Sequence, residues 1–430
     1  MIRSRLSRRA VLKAGLATAA YAAIGPSNAS AQQQRLRVSW WGTASRNKAT
    51  EEIFDHFEKK YPNITVDGET VGYSEYWPRL ATQAAGKNAA DVIQQDVRHL
   101  AEYARRGALR ELDGYVGKQL NLSDFSKDSI DGGRIDNKLY GINTGNNVQA
   151  MAYNKTAVEQ AGMALPQGRF TWQEFAKFCA EIAKSRKDFY GTSDGGMEEV
   201  ALEAWLLERG KTLWTADGKL NYDAADMSEW FGMWHDMRQT KACVPADIQA
   251  LNKDNAESNA ITLGKAAFNF GHSHTVISYQ SLNKEKLDIT PYPTVGAGAK
   301  RNAHYLRPAA ILCVYQDSKM TEEALSLINF FVTTPEMGRI LGVDRGVPSS
   351  SAVAKFAAPE GDLLAQRVVR YVAEMTPQVG PLPGSPPLGA GEVQVLQRRI
   401  NEEVGFGALK PADAGKTYIQ EAQAILARSK

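Results

Sequence analysis

The chain has 430 residues, with 51 Lys and Arg against 48 Asp and Glu, a formal net charge of +3 and 43% hydrophobic residues. Five of the basic residues and no acidic residue fall within the first 31 positions, so residues 32–430 hold 46 basic and 48 acidic side chains. This balance, without any basic block, gives no support for nucleic-acid binding, and about 400 residues of such composition suffice for two domains.

The N-terminal segment predicts export from the cytoplasm. Basic residues precede a soft apolar run at 14–24, which is too short to span a bilayer, and residues 29–31 (Ala-Ser-Ala) match the small-x-small pattern of a signal peptidase site. The pair Arg8 and Arg9 resembles a twin-arginine signal, and an ordinary leader for general secretion is the alternative. We expect cleavage after Ala31 and a soluble periplasmic protein.

The following residues alternate between predicted strands and helices. Alternation at period two predicts a strand at 36–41, and the apolar spacing at 46–60 predicts a helix. A strand at 64–70, a helix at 75–86 and a strand at 91–95 continue the pattern. This β-α-β-α-β order predicts parallel strands with helices packed on the faces of the sheet.

Beyond a polar stretch at 114–136 the pattern is less regular. A Thr-x-x-Glu capping box at Thr171 and Glu174 opens a predicted helix at 171–184, and a second helix is predicted at 227–240. The last hundred residues are predicted to be mostly helical, with a Pro/Gly-rich break at 377–387. Further strands are predicted at 139–143, 148–153, 266–270, 287–292 and 309–315.

The three cysteines, Cys179, Cys243 and Cys313, are far apart and odd in number. This arrangement predicts neither a disulfide framework nor a metal site, and we expect each cysteine to be a small buried apolar residue. Because no cysteine lies close behind the leader, we expect no lipid anchor.

Nine groups of short segments along the chain carry a family pattern. They are Trp-Trp-Gly at 40–42, Phe-Glu-Lys-Lys-Tyr-Pro-Asn-Ile-Thr-Val at 57–66, Asp-Val-Ile at 91–93 ahead of Leu-Ala-Glu-Tyr at 100–103, Leu-Tyr-Gly-Ile at 139–142, Tyr-Asn-Lys at 153–155, Thr-Trp-Gln-Glu-Phe at 171–175, Gly-Lys-Ala-Ala-Phe at 264–268, Glu-Ala at 323–324 with Asn-Phe-Phe at 329–331, and Arg-Gly-Val-Pro at 345–348. In this order they resemble the family 1 extracellular solute-binding proteins of carbohydrate ABC importers, the group typified by maltose-binding protein.

The resemblance implies the α/β, two-lobed periplasmic binding protein fold of type II, with an interdomain ligand cleft. It also implies that the chain crosses the hinge more than once, and we expect crossings near Asn143, near Ala303 and after Pro348. The resulting assignment is 1–31 for the signal peptide, 32–143 plus 303–350 for the N-terminal lobe, and 144–302 plus 351–430 for the C-terminal lobe.

The implied function is capture of a sugar or oligosaccharide in the periplasm and delivery to an inner-membrane ABC permease by hinge closure. We expect a monomer with no cofactor, no metal, no nucleic-acid partner and no enzymatic activity. A binding protein for a sugar phosphate or other anionic solute is one alternative, and a secreted carbohydrate-active enzyme is another. Hydrolysis needs two carboxylates, whereas Glu198 and Glu199 are assigned to a solvated helix face or to the first turn of that helix.

Residues just past the strand ends are the first candidates for the ligand site, because these ends border the crevice of open α/β sheets. A sugar needs planar hydrogen-bonding groups around its edge and aromatic surface on its faces. For Asp96 a helix N-cap is the alternative role, and for the aromatic residues it is core packing. The candidates are Trp41, Arg46, Tyr76, Trp77, Asp96 and Arg98.

The remaining candidates come from the second lobe and from the expected return of the chain through the cleft. Asn146 and Asn147 lie in a Gly-flanked loop, where turn formation is the alternative role. They are joined by Tyr305, Arg307 and Arg345, and the Gly-Val-Pro turn at 346–348 is expected to hold Arg345 rigidly.

His272 and His274 occupy the place where the family often presents an aromatic ring. Their i, i+2 spacing also suggests a metal site, but no acidic or cysteine partner is close in sequence. The four candidate arginines exceed what a neutral sugar requires, so an acidic sugar stays open as an alternative.

Overall fold

A computed structural model describes residues 33–253 and 255–429 of the chain. The predicted leader, with its twin-arginine pattern and its cleavage site at Ala31, lies outside the described residues. Among those described, no helix is both long and apolar enough to cross a membrane.

The first part of the chain alternates strands and helices and ends in three short strands. Its elements are β1 (Gln34–Trp41), α1 (Ala44–Lys60), β2 (Ile64–Val71), α2 (Tyr73–Ala85), β3 (Val92–Gln95), α3 (Val97–Arg105), α4 (Lys127–Asp131), β4 (Arg134–Ile135), β5 (Lys138–Leu139) and β6 (Ile142–Asn143).

The second part contributes another sheet and its covering helices. Its elements are β7 (Gly145–Asn147), β8 (Gln149–Asn154), α5 (Lys155–Gln160), α6 (Trp172–Ala183), β9 (Tyr190–Thr192), α7 (Glu199–Glu208), α8 (Ala224–Gln239), α9 (Ala246–Gln249), β10 (Ala266–His272), α10 (Thr275–Leu282) and β11 (Leu287–Thr290).

The last part returns to the first sheet and then ends in helices. Its elements are β12 (Arg307–Pro308), β13 (Ile311–Val314), α11 (Thr321–Thr333), α12 (Met337–Leu341), β14 (Val347–Pro348), α13 (Ser351–Ala354), α14 (Leu363–Met375), α15 (Ala390–Gly405) and α16 (Pro411–Arg428).

The first sheet has the strand order β2-β1-β3-β13-β6. As predicted, β1 pairs in parallel with both β2 and β3. The late strand β13 inserts antiparallel beside β3 and β6, a pairing that no local pattern indicated. Trp40 packs with Phe54 and α11 on one face, whereas Trp41 packs with Tyr76 and Leu100 on the other, as the alternation of a strand requires.

The second sheet has the order β11-β8-β10-β9 and supports the largest hydrophobic core. Aromatic side chains of α6, α8 and β10 meet there, and Trp172 stacks on Phe270 with ring centroids 5.8 Å apart. The predicted capping box is confirmed, since Thr171 accepts from the backbone of Glu174 and the Glu174 carboxylate accepts from the backbone of Thr171. The three cysteines are buried, as expected.

A third, small sheet of β12, β7 and β14 joins the two larger ones. Its strands are the three segments that run between the lobes, and they pair antiparallel with one another. Ala303 packs in the core beside the second sheet and Val353 in a core beside the first, and the points where the chain crosses the hinge stay predictions.

Candidate functional site

A cleft of about 1660 Å³ lies between the two lobes and is lined by residues from both. The carboxyl ends of β1, β2 and β3 open onto it, as expected for an open α/β sheet. Nine of the predicted site residues line it, namely Trp41, Arg46, Trp77, Asp96, Arg98, His272, His274, Tyr305 and Arg307. Their contact with a ligand stays a prediction.

Asp96 combines the two roles that its sequence position allowed. Its carboxylate accepts a hydrogen bond of 2.9 Å from the backbone N–H of Arg98, which caps α3. The same oxygen also accepts hydrogen bonds of 2.7 Å from Arg307 and 3.2 Å from Arg98 Nε. Burial opposes ionisation, but the charges of Arg307 and Arg98 prevail and hold the pKa of Asp96 far below its usual value. Asp96 is thus an ionised anchor for two guanidinium groups.

Arg98 is held on its other side by a tyrosine. Its Nη2 donates a 2.6 Å hydrogen bond to the hydroxyl of Tyr73, which also lines the cleft. The guanidinium carbon lies 5.4 Å from the centroid of the Tyr73 ring. These contacts fix the guanidinium of Arg98 at the cleft wall while about a third of its side chain stays exposed.

The aromatic residues at the strand ends pack mainly on one another. The Trp41 ring lies 5.2–5.5 Å from the rings of Tyr73, Tyr76 and Trp77. One face of Trp77 is covered by His99, whose ring centroid lies 3.7 Å away. Trp41 is buried by these contacts, whereas Trp77 stays half-buried at the cleft wall.

His272 and His274 both reach the cleft from the end of β10 and the turn that follows. Burial first, and then the charges of Arg307 and Arg46 respectively, lower the pKa of both imidazoles. Both rings are therefore neutral near pH 7. In the part of the chain that the structure describes, no group of three or more His, Cys, Asp or Glu could hold a metal ion.

Arg46 is tied to a loop that approaches both lobes. It donates a hydrogen bond of 2.6 Å to the backbone oxygen of Asp344 and one of 3.2 Å to the carboxylate of the same residue. The same carboxylate accepts 3.0 Å from Ser278 on α10 of the second lobe. Asp344 was not a candidate from the sequence, yet it bridges the two lobes beside the cleft.

Four predicted site residues do not line the cleft. Tyr76 is buried in the core and donates 2.8 Å to the backbone oxygen of Gln94, because the aromatic pair begins a helix that packs on the sheet. Asn146 and Asn147 belong to hinge strand β7, where Asn146 donates to Ser129. The amide of Asn146 thus serves the hinge, whereas the amide nitrogen of Asn147 is buried without a hydrogen-bond partner among the described residues.

Arg345 is the fourth such residue. It is buried, and its two terminal nitrogens donate hydrogen bonds of 2.6 Å to Gln94 and 2.8 Å to Thr50. Both partners are neutral. Burial and the nearby charge of Arg46 lower the pKa of Arg345 to about 9. Arg345 therefore adds positive charge beside the cleft without lining it, and its contact with a ligand stays a prediction.

Sequence reasoning missed the carboxylates of α7. Glu199 and Glu203 line the cleft, and Tyr305 donates a hydrogen bond to Glu203. Glu199 lies in the first turn of α7, one of the two positions predicted for it. Burial raises the pKa of both carboxyl groups, that of Glu203 to about 7. The available signal was the i, i+4 spacing of two glutamates in a helix whose other positions are almost all apolar.

Comparisons with known proteins agree with this architecture. The family model for bacterial extracellular solute-binding proteins matches residues 41–338. A protein of Brucella abortus (strain 2308) that is named as a binding protein is 29% identical and covers 97% of this chain and 98% of its own. A family 1 extracellular solute-binding protein from Alicyclobacillus acidocaldarius superposes with a TM-score of 0.68, at 27% identity over 91% of this chain and 98% of that one.

A second similar structure is a complex with a ligand. A periplasmic oligogalacturonide binding protein from Yersinia enterocolitica, in complex with saturated digalacturonic acid, superposes with a TM-score of 0.80 at 22% identity. The match covers 92% of this chain and 99% of that one. At this identity the likeness establishes the shared two-lobed fold.

Proposed function

This chain belongs to the bacterial extracellular solute-binding protein family, and we propose that it captures a sugar or oligosaccharide in the periplasm and delivers it to an inner-membrane ABC permease. The observation that carries the proposal is the interlobe cleft, whose walls offer carboxylates, guanidinium groups and imidazoles from both lobes. Such groups match a ligand that is rich in hydroxyls.

Hinge closure is the mechanism that this arrangement supports. The strands β7, β12 and β14 form a short pivot between the sheets, and ligand contacts from both lobes favour the closed form. The permease would then recognise the closed, loaded protein. The export signal predicted at residues 1–31, which lie outside the described residues, supports a periplasmic location, and we propose that the protein acts there as a monomer.

In this proposal the protein releases its ligand chemically unchanged. Glu199 and Glu203 lie one helical turn apart on α7, so both carboxylates face the ligand from the same side. Glycoside hydrolysis requires two carboxylates that flank the scissile bond, and Asp96 on the wall of the first lobe is already held by Arg307 and Arg98. The described cleft therefore favours binding over hydrolysis.

A thermal-shift panel tests the proposal. Neutral monosaccharides, oligosaccharides, uronates, sugar phosphates and polyamines are each added to the purified mature protein. A bound sugar raises the melting temperature by mass action, and chromatography of the recovered sugar should show no new product. If no sugar raises the melting temperature, or a sugar is turned over, the proposed function is wrong.

A further inference from the structure

We propose that the cleft binds an acidic sugar, a uronate, whose carboxylate pairs with Arg98 and Arg307 while its hydroxyls reach the carboxylates of α7. This inference rests on the proposed function and deepens it by naming the class of ligand. It follows from the convergence, the charge and the remaining hydrogen-bonding capacity of the residues around Asp96.

Two guanidinium groups from distant parts of the chain converge on one carboxylate. Arg307 comes from hinge strand β12 and Arg98 from α3 of the first lobe, and both donate to the same oxygen of Asp96, at 2.7 and 3.2 Å. Among the described residues, Arg307 donates only through Nη2. A guanidinium has five N–H donors, so Arg307 keeps donors for a ligand at the cleft wall.

Positive charge exceeds negative charge among the residues that surround Asp96 and Asp344. We call the residues concerned the hinge-side cluster, which consists of Arg46, Arg98, Arg307 and Arg345 with Asp96 and Asp344. This cluster thus holds four guanidinium groups and two carboxylates, while Glu199 and Glu203, whose pKa values burial raises, lie within electrostatic range on α7. The two histidines add no charge, and Arg345 is bonded to neutral partners. A bound carboxylate would offset part of this excess.

His272 adds a neutral hydrogen-bonding group beside the arginines. It lies close enough to Arg307, Arg98 and Asp96 for their charges to affect its titration. Its Nε2 is buried and has no hydrogen-bond partner among the described residues. A buried polar atom without a partner is costly, and a ligand oxygen or hydroxyl in the cleft would satisfy it.

The surrounding carboxylates favour a uronate over a sugar phosphate. Glu199 lies within electrostatic range of Arg98 and Arg307. A phosphate monoester carries nearly two negative charges at pH 7 and would meet stronger repulsion from Glu199 and Glu203 than a uronate carboxylate with one. The planar carboxylate also matches the planar fork of an arginine.

Isothermal titration calorimetry with matched sugar pairs tests the inference. The probes are D-galacturonate, D-glucuronate and digalacturonate, their neutral counterparts D-galactose, D-glucose and galactobiose, and galactose 6-phosphate. We expect at least one uronate to bind at least about tenfold more tightly than its neutral counterpart, as one charged hydrogen bond would provide. Its affinity should fall with added salt more steeply than that of the neutral sugar.

Variants of Arg98 connect the preference to the site. Arg98→Gln should weaken uronate binding at least about tenfold and change the affinity of a neutral sugar much less. Arg98→Lys, which keeps the charge but loses the planar fork, should give an intermediate loss. Arg35→Gln is the matched control, because Arg35 is exposed and pairs with Asp67 on the first sheet, away from the cleft. Melting curves verify that each variant folds.

The possible outcomes separate this inference from the proposed function. If neutral sugars bind but no uronate binds more tightly than its counterpart, the inference is wrong and the proposed function stands. The inference is also contradicted if galactose 6-phosphate binds more tightly than every uronate. The same holds if Arg98→Gln reduces the affinities for neutral and acidic sugars equally. If nothing on the panel binds, both proposals fail.

Discussion

Arg46 of the first lobe and Asp344 of the loop before β14 form a partly buried ion pair, with Nη2 3.2 Å from the carboxylate and 2.6 Å from the backbone oxygen. The carboxylate also accepts from Ser278 of the second lobe. One acidic side chain therefore connects α1 and α10 across the interlobe boundary. Because these bonds span the lobes, they bear on closure as well as on stability.

Asp344→Ala should weaken this connection between the lobes. We expect the free energy of unfolding to drop by about 2 kcal/mol, since charged hydrogen bonds are lost, and every bound sugar to lose affinity whatever its charge. Urea unfolding and calorimetry measure the two effects. Asp67→Ala removes the exposed pair with Arg35 and should have almost no effect on either, so equal losses in both variants would contradict the bridging role.

Asp96→Asn should be strongly destabilising although asparagine is a good N-cap. The substitution keeps an oxygen for the backbone of α3 but leaves Arg307 and Arg98 without their carboxylate. Removing one partner of a buried ion pair costs about 3–5 kcal/mol. Asp223→Asn makes the same change at the N-cap of α8, where the carboxylate is exposed, and should cost far less in urea unfolding. Similar losses would mean that Asp96 acts as a cap alone.

Glu203 should make the protein less stable as the pH rises through neutrality. Burial raises its pKa in the folded state from 4.5 to about 7, so between these values the folded protein holds a proton that the unfolded chain has lost. Stability therefore falls with rising pH, by about 3 kcal/mol in total. Urea unfolding at pH 4.5 to 7.5 should show this fall in the natural protein and a smaller one in Glu203→Gln. Parallel curves would refute the assignment.

Gly346→Ala should disturb the hinge. Gly346 has φ of 84°, and an added Cβ would lie 2.8 Å from the backbone oxygen of Asn146 in β7. Gly361 has φ of 97° but no heavy atom within 4 Å of an added Cβ. We expect Gly361→Ala to cost about 1 kcal/mol of unfolding free energy, from the left-handed backbone alone. Gly346→Ala should cost at least about 3 kcal/mol and reduce sugar affinity, and an equal cost at both sites would contradict the close approach.

Local patterns predicted the elements that local forces stabilise. The alternation at 36–41 and the apolar spacing at 46–60 correspond to β1 and α1, since side-chain periodicity follows directly from backbone geometry. The capping box at Thr171 needed only residues three positions apart. The predicted strand at 139–143 is instead split into β5 and β6. Gly141, between them, packs closely against β13, which is distant in sequence.

The sequence alone determined the family, the α/β alternation, the polar strand ends and an excess of arginine among the site candidates. Tertiary structure decided which of those side chains face the cleft, since Asp96 meets Arg307 across 211 positions and Arg345 meets Gln94 across 251. The physical reason is that a charged group is positioned by whichever opposite charge or hydrogen-bonding partner is buried with it. Such partners are brought together by the return of the chain through the hinge, which periodicity along the sequence does not record.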